Sequence, residues 1–524
     1  MSSQPIVLTN GRIATMRTLD ETVSSIAVQG DRVLAVGSFD EVSSAAGPEA
    51  RTVDLNGAFV TPGFVDAHAH VELGSKARDF WIDVRGLEKA QTLQRLSDSN
   101  RGNGAWLVAQ ATYRQELPTR AELDDLLPGV PVVVRLSMHR LVASTMALQL
   151  SGIDRHGGDP VGSRIERDAT GEPTGVIEEG FDLMRIPPVS QDALEDSLQR
   201  SLTTQFLANG VTTVYELPAS PEGARAYQAL ARRGALPIRM TLNPIVRPGH
   251  QPIADLTDLA GIGLQTGFGD AWLKLGAVKI FVDGDDDAAM HRRLLDDSPR
   301  NWGVLTRTYQ QLYSDVMTAH RSGLQLWIHA IGDAAQEMTI DALEAGHVAF
   351  PELDARPRIE HIANGHWNPH YLSRLQRAGI IPVPTAAFMH GAPGDAQLDA
   401  PSPRYLYRTL SEAGLMPPGN SDTAGTQPFA TNPLHGIYCM TARKNVRGEA
   451  VWPDEAVSIR QAIAIYTHHS AYAGFLDSDR GTLEAGKLAD LVIYREDLDT
   501  VSPEQLLDIR PQQVFVGGEV AYDA

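Results

Sequence analysis

The chain has 524 residues with 45 Lys+Arg against 65 Asp+Glu, a formal net charge of −20. Such an acidic surface repels phosphate backbones and anionic lipid, which argues against nucleic-acid or membrane-surface partners. The single cysteine, Cys439, excludes intrachain disulfides and thiolate-cluster metal sites, so the sixteen histidines are the available soft ligands.

The start, MSSQPIVLTNGRIATM, lacks a basic region followed by an apolar run. No stretch approaches the roughly 20 apolar residues of a membrane span, and a soluble cytoplasmic protein is the expectation. The first sixty residues break into short apolar strands: PIVLTN, GRIATM, SSIAVQG, DRVLAVG, RTVDLNG and AFVTPG. Gly, Asn and Asp punctuate them, as in a meandering sheet. GSFDEVSSAAG, residues 37–47, reads as a turn and loop. The last fifty residues are alike: ADLVIYR is followed by VFVGGEVAY, a hairpin pattern with Gly-Gly at its turn. Because chain ends often lie close together, the two β-rich ends are expected to form one small sandwich domain from residues 1–61 and 475–524.

Between them, apolar runs alternate with amphipathic stretches: FVDAHAHV, GVTTVYEL, PIRMTLNPI, AVKIFVDG, LQLWIHAIGD, RIEHIAN, IIPVPTA and PPGNSDTAG. DAAQEMTIDALEAG, after the IHA run, reads as a helix opening on an Asp cap and closing on Gly. Eight strand–helix units in residues 62–474 predict an α/β fold, a parallel (β/α)8 TIM barrel. Over a hundred extra residues, about 74–188, follow the first run. They carry strands of their own (AWLVAQATY, VPVVVRLSMH) and are expected to form an inserted subdomain over the barrel mouth.

His68-Ala-His70 ends the first barrel run. Alternate residues of a strand point the same way, so both imidazoles converge at the C-terminal end, where barrel enzymes keep their sites. Two imidazoles so placed suit a divalent metal such as zinc; taken alone, such a pair is more often two ordinarily hydrogen-bonded histidines. It does not stand alone, because His329, His361 and Asp422 also fall at strand ends facing the same mouth. Lys279 lies within an apolar strand, where an unpaired ammonium is costly; a side chain snorkelling from the strand edge fits as well as a site role.

TPGFVDAHAH, AVKIFVDG, WIHAIGDAA, RIEHI, NSDTAG and the tail GTLEAGKLADLVIY together resemble the amidohydrolase superfamily, specifically its amidohydrolase-3 branch, which includes N-substituted formamide deformylases. The resemblance implies that His68 and His70 bind one metal shared with Asp422. It implies that His329 and His361 bind a second, and that a carboxylated Lys279 bridges two zinc ions. Two departures bear on substrate. Tyr215-Glu216 stands where relatives often have His-Asp, and Ser137-Met138-His139 stands where they often have Asp-Gly-His. The insertion's GEPTGVIEE, ending in Glu178-Glu179, again resembles the branch.

His139, Tyr113, Glu216, His366 and His390 are candidate substrate-binding residues, with Trp81 and Arg114 as further pocket candidates. Asp283 and Asp333 are expected to support ligands or cap helices. The expected activity is metal-dependent hydrolysis of an amide or N-acyl C–N bond of a small molecule. Metal-activated hydroxide attacks, and Asp422 is the general base. A single-metal site with Lys279 unmodified, a deaminase or cyclic-amide hydrolase on the same barrel, and a catalytically silent binding or regulatory protein remain alternatives. A homodimer is expected from the family alone.

Overall fold

The computed structural model describes residues 4–524 apart from 101, 103, 114, 138, 248–252, 254, 286–287, 293–301, 399–402 and 425–426; the candidate Arg114 lies outside the described residues. Two four-stranded sheets, parallel throughout, carry the motif runs. One holds Phe64–Ala69, Val211–Glu216, Arg239–Leu242 and Leu273–Leu275 side by side. The other holds Val278–Phe281, Leu326–His329, Arg358–Glu360 and Ile381–Val383. A parallel bridge between Ile245 and Lys279 joins them.

Every residue of Phe64–Ala69, Val211–Glu216 and Leu326–His329 is buried. Parallel strands covered on both faces have this signature. Helices supply the cover: Tyr309–Ser322 and Asp333–Ala349 pack Leu312, Val316, Ile340 and Leu343 against Ile280 and Ile328. Residues 419–422 have no strand partner of their own but dock on the first strand. Ala67 N–H donates to the Gly419 carbonyl at 3.0 Å, and Asp422 N–H to the His68 carbonyl at 2.8 Å.

The chain ends meet in a six-stranded sheet. Leu491–Tyr494 lies antiparallel to Phe59–Pro62, flanked by Arg12–Ala14 and Thr22–Val23 on one side and Gln513–Val516 and Glu519–Asp523 on the other. Gly517 and Gly518 turn the last hairpin with φ of 60° and 78°, the paired positive values that a tight two-residue hairpin requires. Ile13, Val60, Leu491 and Ile493 of this sheet share a core with Leu8, Ile26 and Val28 of the N-terminal sheet. Residues 82–178 build a separate six-stranded sheet, in the order Arg164–Arg167, Pro173–Glu178, Arg140–Ala143, Val132–Arg135, Leu107–Gln110 and Ile82–Asp83.

Two local expectations are corrected. Residues 37–47 are not a loop: Phe39–Ala46 is a helix, closed at its start by a capping box in which Ser38 and Glu41 satisfy each other's backbone N–H. Its buried face, Val42 and Ala46, packs on Val7 and Ala27. The helix after the IHA run is capped by Gly332 rather than Asp333 and runs on through Gly346 to Ala349. Packing of Gly346 against Val316 and His320 explains why that glycine does not end it.

Candidate metal centre

The strand Phe64–Ala69 delivers His68, and His70 caps the following helix Val71–Asp79. Both imidazoles are buried, and their Nε2 atoms each lie 3.5 Å from Oδ1 of Asp422. His68, His70 and Asp422 offer one ligand atom apiece, all within 4.8 Å of one another, and among the described residues they form the one group of three with that property. Two ligand atoms at about 2.0–2.1 Å from a tetrahedral ion stand about 3.4 Å apart, so the observed spacings suit such an ion.

His361 presents Nδ1 at 3.7 Å from Oδ2 of Asp422, and that nitrogen is buried with no hydrogen-bond partner among the described residues. An orphaned buried imidazole nitrogen facing a carboxylate calls for a shared partner, and a cation is one that both atoms could accept. The His329 ring is 4.7 Å from the His361 ring, centroid to centroid, and His361 is 5.6 Å from His68 by the same measure. His361 and Asp422 have φ of 70° and 43°. Left-handed conformations at non-glycine residues cluster where function holds the backbone in place.

Burial disfavours the charged form of all four histidines. His70 is driven down to about 3, and His68, His329 and His361 lie well below the usual histidine range, Lys279 adding to the effect. Burial lifts the Asp422 carboxyl to about 7 against the pull of Lys279 and His139. The Lys279 ammonium is buried, with Nζ 5.1 Å from the centre of the Phe281 ring. Burial lowers it to about 8, opposed by Glu360 and Asp422.

A second layer orients these groups. Nδ1 of His68 meets Oε2 of Glu360 at 2.5 Å. Arg358 grips both Glu360 oxygens at 2.8 Å, donates to the Ala67 carbonyl and lies 3.5 Å over the Trp327 ring. Asp66 accepts from the backbone N–H groups of His68 and Ser421, tying the two ligand-bearing segments together. Asp283 accepts from the N–H groups of Met290, Ile331 and Gly332, so it pins the loop that follows His329.

The substrate candidates are placed differently. His139 packs 5.6 Å from the His329 ring, and its Nδ1 meets Glu179 at 2.8 Å. Burial alone would lower His139, but Glu179, Asp285 and Asp422 outweigh it and raise it to about 9. Glu179 also accepts from Arg247 at 3.2 Å and from Asp285 N–H at 2.9 Å. Tyr113 donates to Asp285 at 2.8 Å and lines, with His139 and Glu179, a cavity of about 770 Å³. A second cavity of about 240 Å³ runs between His70, Trp81, Phe181, Ile245 and Arg247.

Glu216 spends its carboxylate elsewhere: it accepts from Val71 and Glu72 N–H and from Tyr227, which closes the start of the helix after His70. His366 meets His291 edge-on, with ring centres 4.3 Å apart. His390 packs on Phe429 and His435. The sequence reading passed over Glu360 and Arg358. Their signal was the two-residue alternation of Arg358-Ile359-Glu360, which puts two opposite charges on one face of a buried strand.

A model of the amidohydrolase family matches residues 51–522. Protein LONG AFTER FAR-RED 3 of Arabidopsis thaliana is 30% identical over 515 residues, covering 93% of this chain and 86% of the relative. N-substituted formamide deformylase of Arthrobacter pascens is 27% identical over 544 residues, covering 99% and 98%. The solved structure of an uncharacterized metal-dependent hydrolase from Pyrococcus horikoshii OT3 superposes with a TM-score of 0.73 at 24% identity, covering 95% and 99%. Its likeness makes the architecture an α/β fold of TIM-barrel type. The chain belongs to the amidohydrolase family, hydrolytic enzymes that act on carbon–nitrogen bonds.

Proposed function

We propose that this enzyme is a metal-dependent hydrolase of an amide or N-acyl C–N bond in a small molecule. The observation that carries this reading is the convergence of His68, His70 and Asp422 on one buried point. The full-length similarity to a formamide deformylase supports the bond class. His68, His70 and Asp422 would hold one ion, most naturally zinc given two imidazoles and a carboxylate. His329 and His361 would hold a second, with Lys279 as a carbamate between them. A lysine that burial brings to about 8 has neutral amine to offer carbon dioxide near neutral pH. When bound, the ions supply Lewis acidity at the scissile carbonyl and lower the pKa of water.

The chain's own residues divide the remaining work. Asp422, within 3.5–3.7 Å of His68, His70 and His361, takes the proton of the attacking water and passes it to the leaving nitrogen. Glu360 holds His68 in the tautomer that carries its proton on Nδ1 and presents Nε2 to the site. His139, kept cationic by Glu179, presents a donor for a substrate oxygen at the border of the larger cavity. The same reading includes a closed eight-stranded barrel, a sandwich from both termini and the 74–188 insertion as its cover. The two bridged parallel sheets and the docking of residues 419–422 support it.

The test is a hydrolysis screen of metal-loaded protein against formamides, N-acyl amino acids, aryl ureas and cyclic imides. Release of a free amine and an acid from a linear amide is expected. Ammonia release or ring opening alone would favour the deaminase or cyclic-amide alternative. No turnover of any class by fully loaded protein would favour a silent protein.

A further inference from the structure

Arg135 ends the strand Val132–Arg135 of the inserted sheet and is fully buried. Its Nη1 donates to Oε1 of Gln110 at 2.8 Å and to the Ala424 carbonyl at 3.1 Å, two residues beyond Asp422. Its Nε and Nη2 have no hydrogen-bond partner among the described residues, and no carboxylate among them forms an ion pair with it. The other fully buried arginines are fixed differently. Arg239 grips Asp490 through Nε and Nη2 at 2.8 and 3.0 Å. Arg358 grips Glu360 through the same two atoms. Arg443 donates to the carbonyls of Val451, Trp452, Tyr405 and Arg404.

The Nε–Nη2 edge that binds a carboxylate side-on in Arg239 and Arg358 thus has, in Arg135, no partner among the described residues. An uncompensated buried guanidinium is expensive, and cation–π contact offsets little of that cost. Beyond its two Nη1 hydrogen bonds it is packed by Trp81 and Phe181, whose ring centres lie 5.0 and 5.1 Å from its Cζ. Both rings, together with His70, line the smaller cavity. The next residues along the chain, Leu136 and Ser137, line the larger one. Arg135 therefore sits beside both cavities and one short loop from Asp422.

We propose that Arg135 receives a carboxylate of the substrate through its Nε and Nη2 atoms, beside the His70–Asp422 cluster. The substrate class becomes amides that carry a carboxylate close to the scissile bond, such as N-acyl amino acids. Trp81 and Phe181 turn aside to admit the anion and then exclude water from the pair. This deepens the hydrolase reading and rests on it for the word substrate, though not for the binding site itself.

The experiment compares butyrate with butyramide, two unreactive probes of one shape and different charge, by calorimetric titration of metal-loaded protein. Wild-type protein is expected to bind butyrate about tenfold or more tighter than butyramide, as a charged hydrogen-bonded pair implies. Arg135→Gln, with metal content matched, is expected to lose that preference, and Arg135→Lys to keep only part of it. An equal preference in wild type and Arg135→Gln would assign the anion to the metal ions and overturn the proposal. So would a wild type with no preference, or a variant that loses thermal stability while its ligand preference stays intact. If Arg135→Gln does not fold, Arg135→Lys decides by the same readout. A protein that hydrolyses no amide yet keeps an Arg135-dependent butyrate preference retains this site and loses the hydrolase reading. One that hydrolyses neutral amides without any such preference does the reverse.

Discussion

Oε2 of Glu360 lies 2.5 Å from Nδ1 of His68, while Arg358 holds both oxygens of the same carboxylate at 2.8 Å. The three side chains are buried and run in contact from Arg358 through Glu360 to His68. Such a carboxylate fixes the imidazole tautomer and raises its basicity toward a metal. Glu360→Gln keeps the shape but removes the charge. Metal affinity is expected to fall by about 10–100-fold, measured by competition with a chelating dye. An unchanged affinity would show that the Glu360 charge does not support the ligand.

The metal content itself is the next expectation. Purified protein should hold close to two equivalents of a divalent ion by elemental analysis, and chelation should abolish turnover. His68→Ala and His70→Ala should each lose metal together with activity, because each removes a neutral imidazole from the cluster with Asp422. Full activity in demonstrably metal-free protein would sink the assignment.

Lys279 separates a bridged pair from a single ion. Lys279→Ala should lose about half of the bound metal and most of the turnover, and short-chain carboxylates added with metal should restore part of it by standing in for the carbamate. A Lys279→Ala protein with native metal content and rate would leave the amine over Phe281 as a packing feature.

Asp422→Asn distinguishes metal binding from proton transfer. Asparagine can still offer an oxygen but cannot serve as the base. Turnover should fall by about 10²-fold or more while much of the metal stays bound. Substrate KM should move far less than kcat, since the lost proton transfer matters in the transition state. Near-native turnover with metal retained would pass the base role to another group.

Glu216 makes a prediction about stability. Burial raises its carboxyl to about 8, from the 4.5 of an exposed glutamate, against the N–H groups of Glu72 and Val71. A carboxyl raised on folding binds its proton more tightly in the native state. Its contribution is therefore fully present below the unfolded value near 4.5 and is lost as pH rises through about 8. The wild-type Tm should carry this downward component between pH 5 and 8, and Glu216→Gln should flatten it. Parallel melting profiles for the two proteins would refute the assignment.

Much of this architecture was legible in the chain itself. The apolar runs became buried parallel strands because a strand covered on both faces admits little else, and VFVGGEVAY could only turn at its two glycines. His68 and His70 could be read from their place at the end of Phe64–Ala69, since that position fixes which way a side chain faces, whereas Asp422 sits on a non-strand segment docked on the His68 carbonyl. The helix Phe39–Ala46 was misread because Gly37 and the serines look like a turn. Its deciding signal was the Ser38–Glu41 capping box.

What tertiary structure alone decided was how polar groups are shared out. Glu216 ends its strand as His329 ends its own, yet two backbone N–H groups and Tyr227 claim the first carboxylate, while the second side chain remains at the site. Arg135 and Arg239 are both buried at the ends of strands, but among the described residues only Arg239 is met by a carboxylate, Asp490 of the C-terminal segment. Sequence determines which residues point inward, because side-chain direction is a local property of the backbone. Which buried charge is satisfied within the fold, and which is left to a ligand, depends on partners hundreds of residues away.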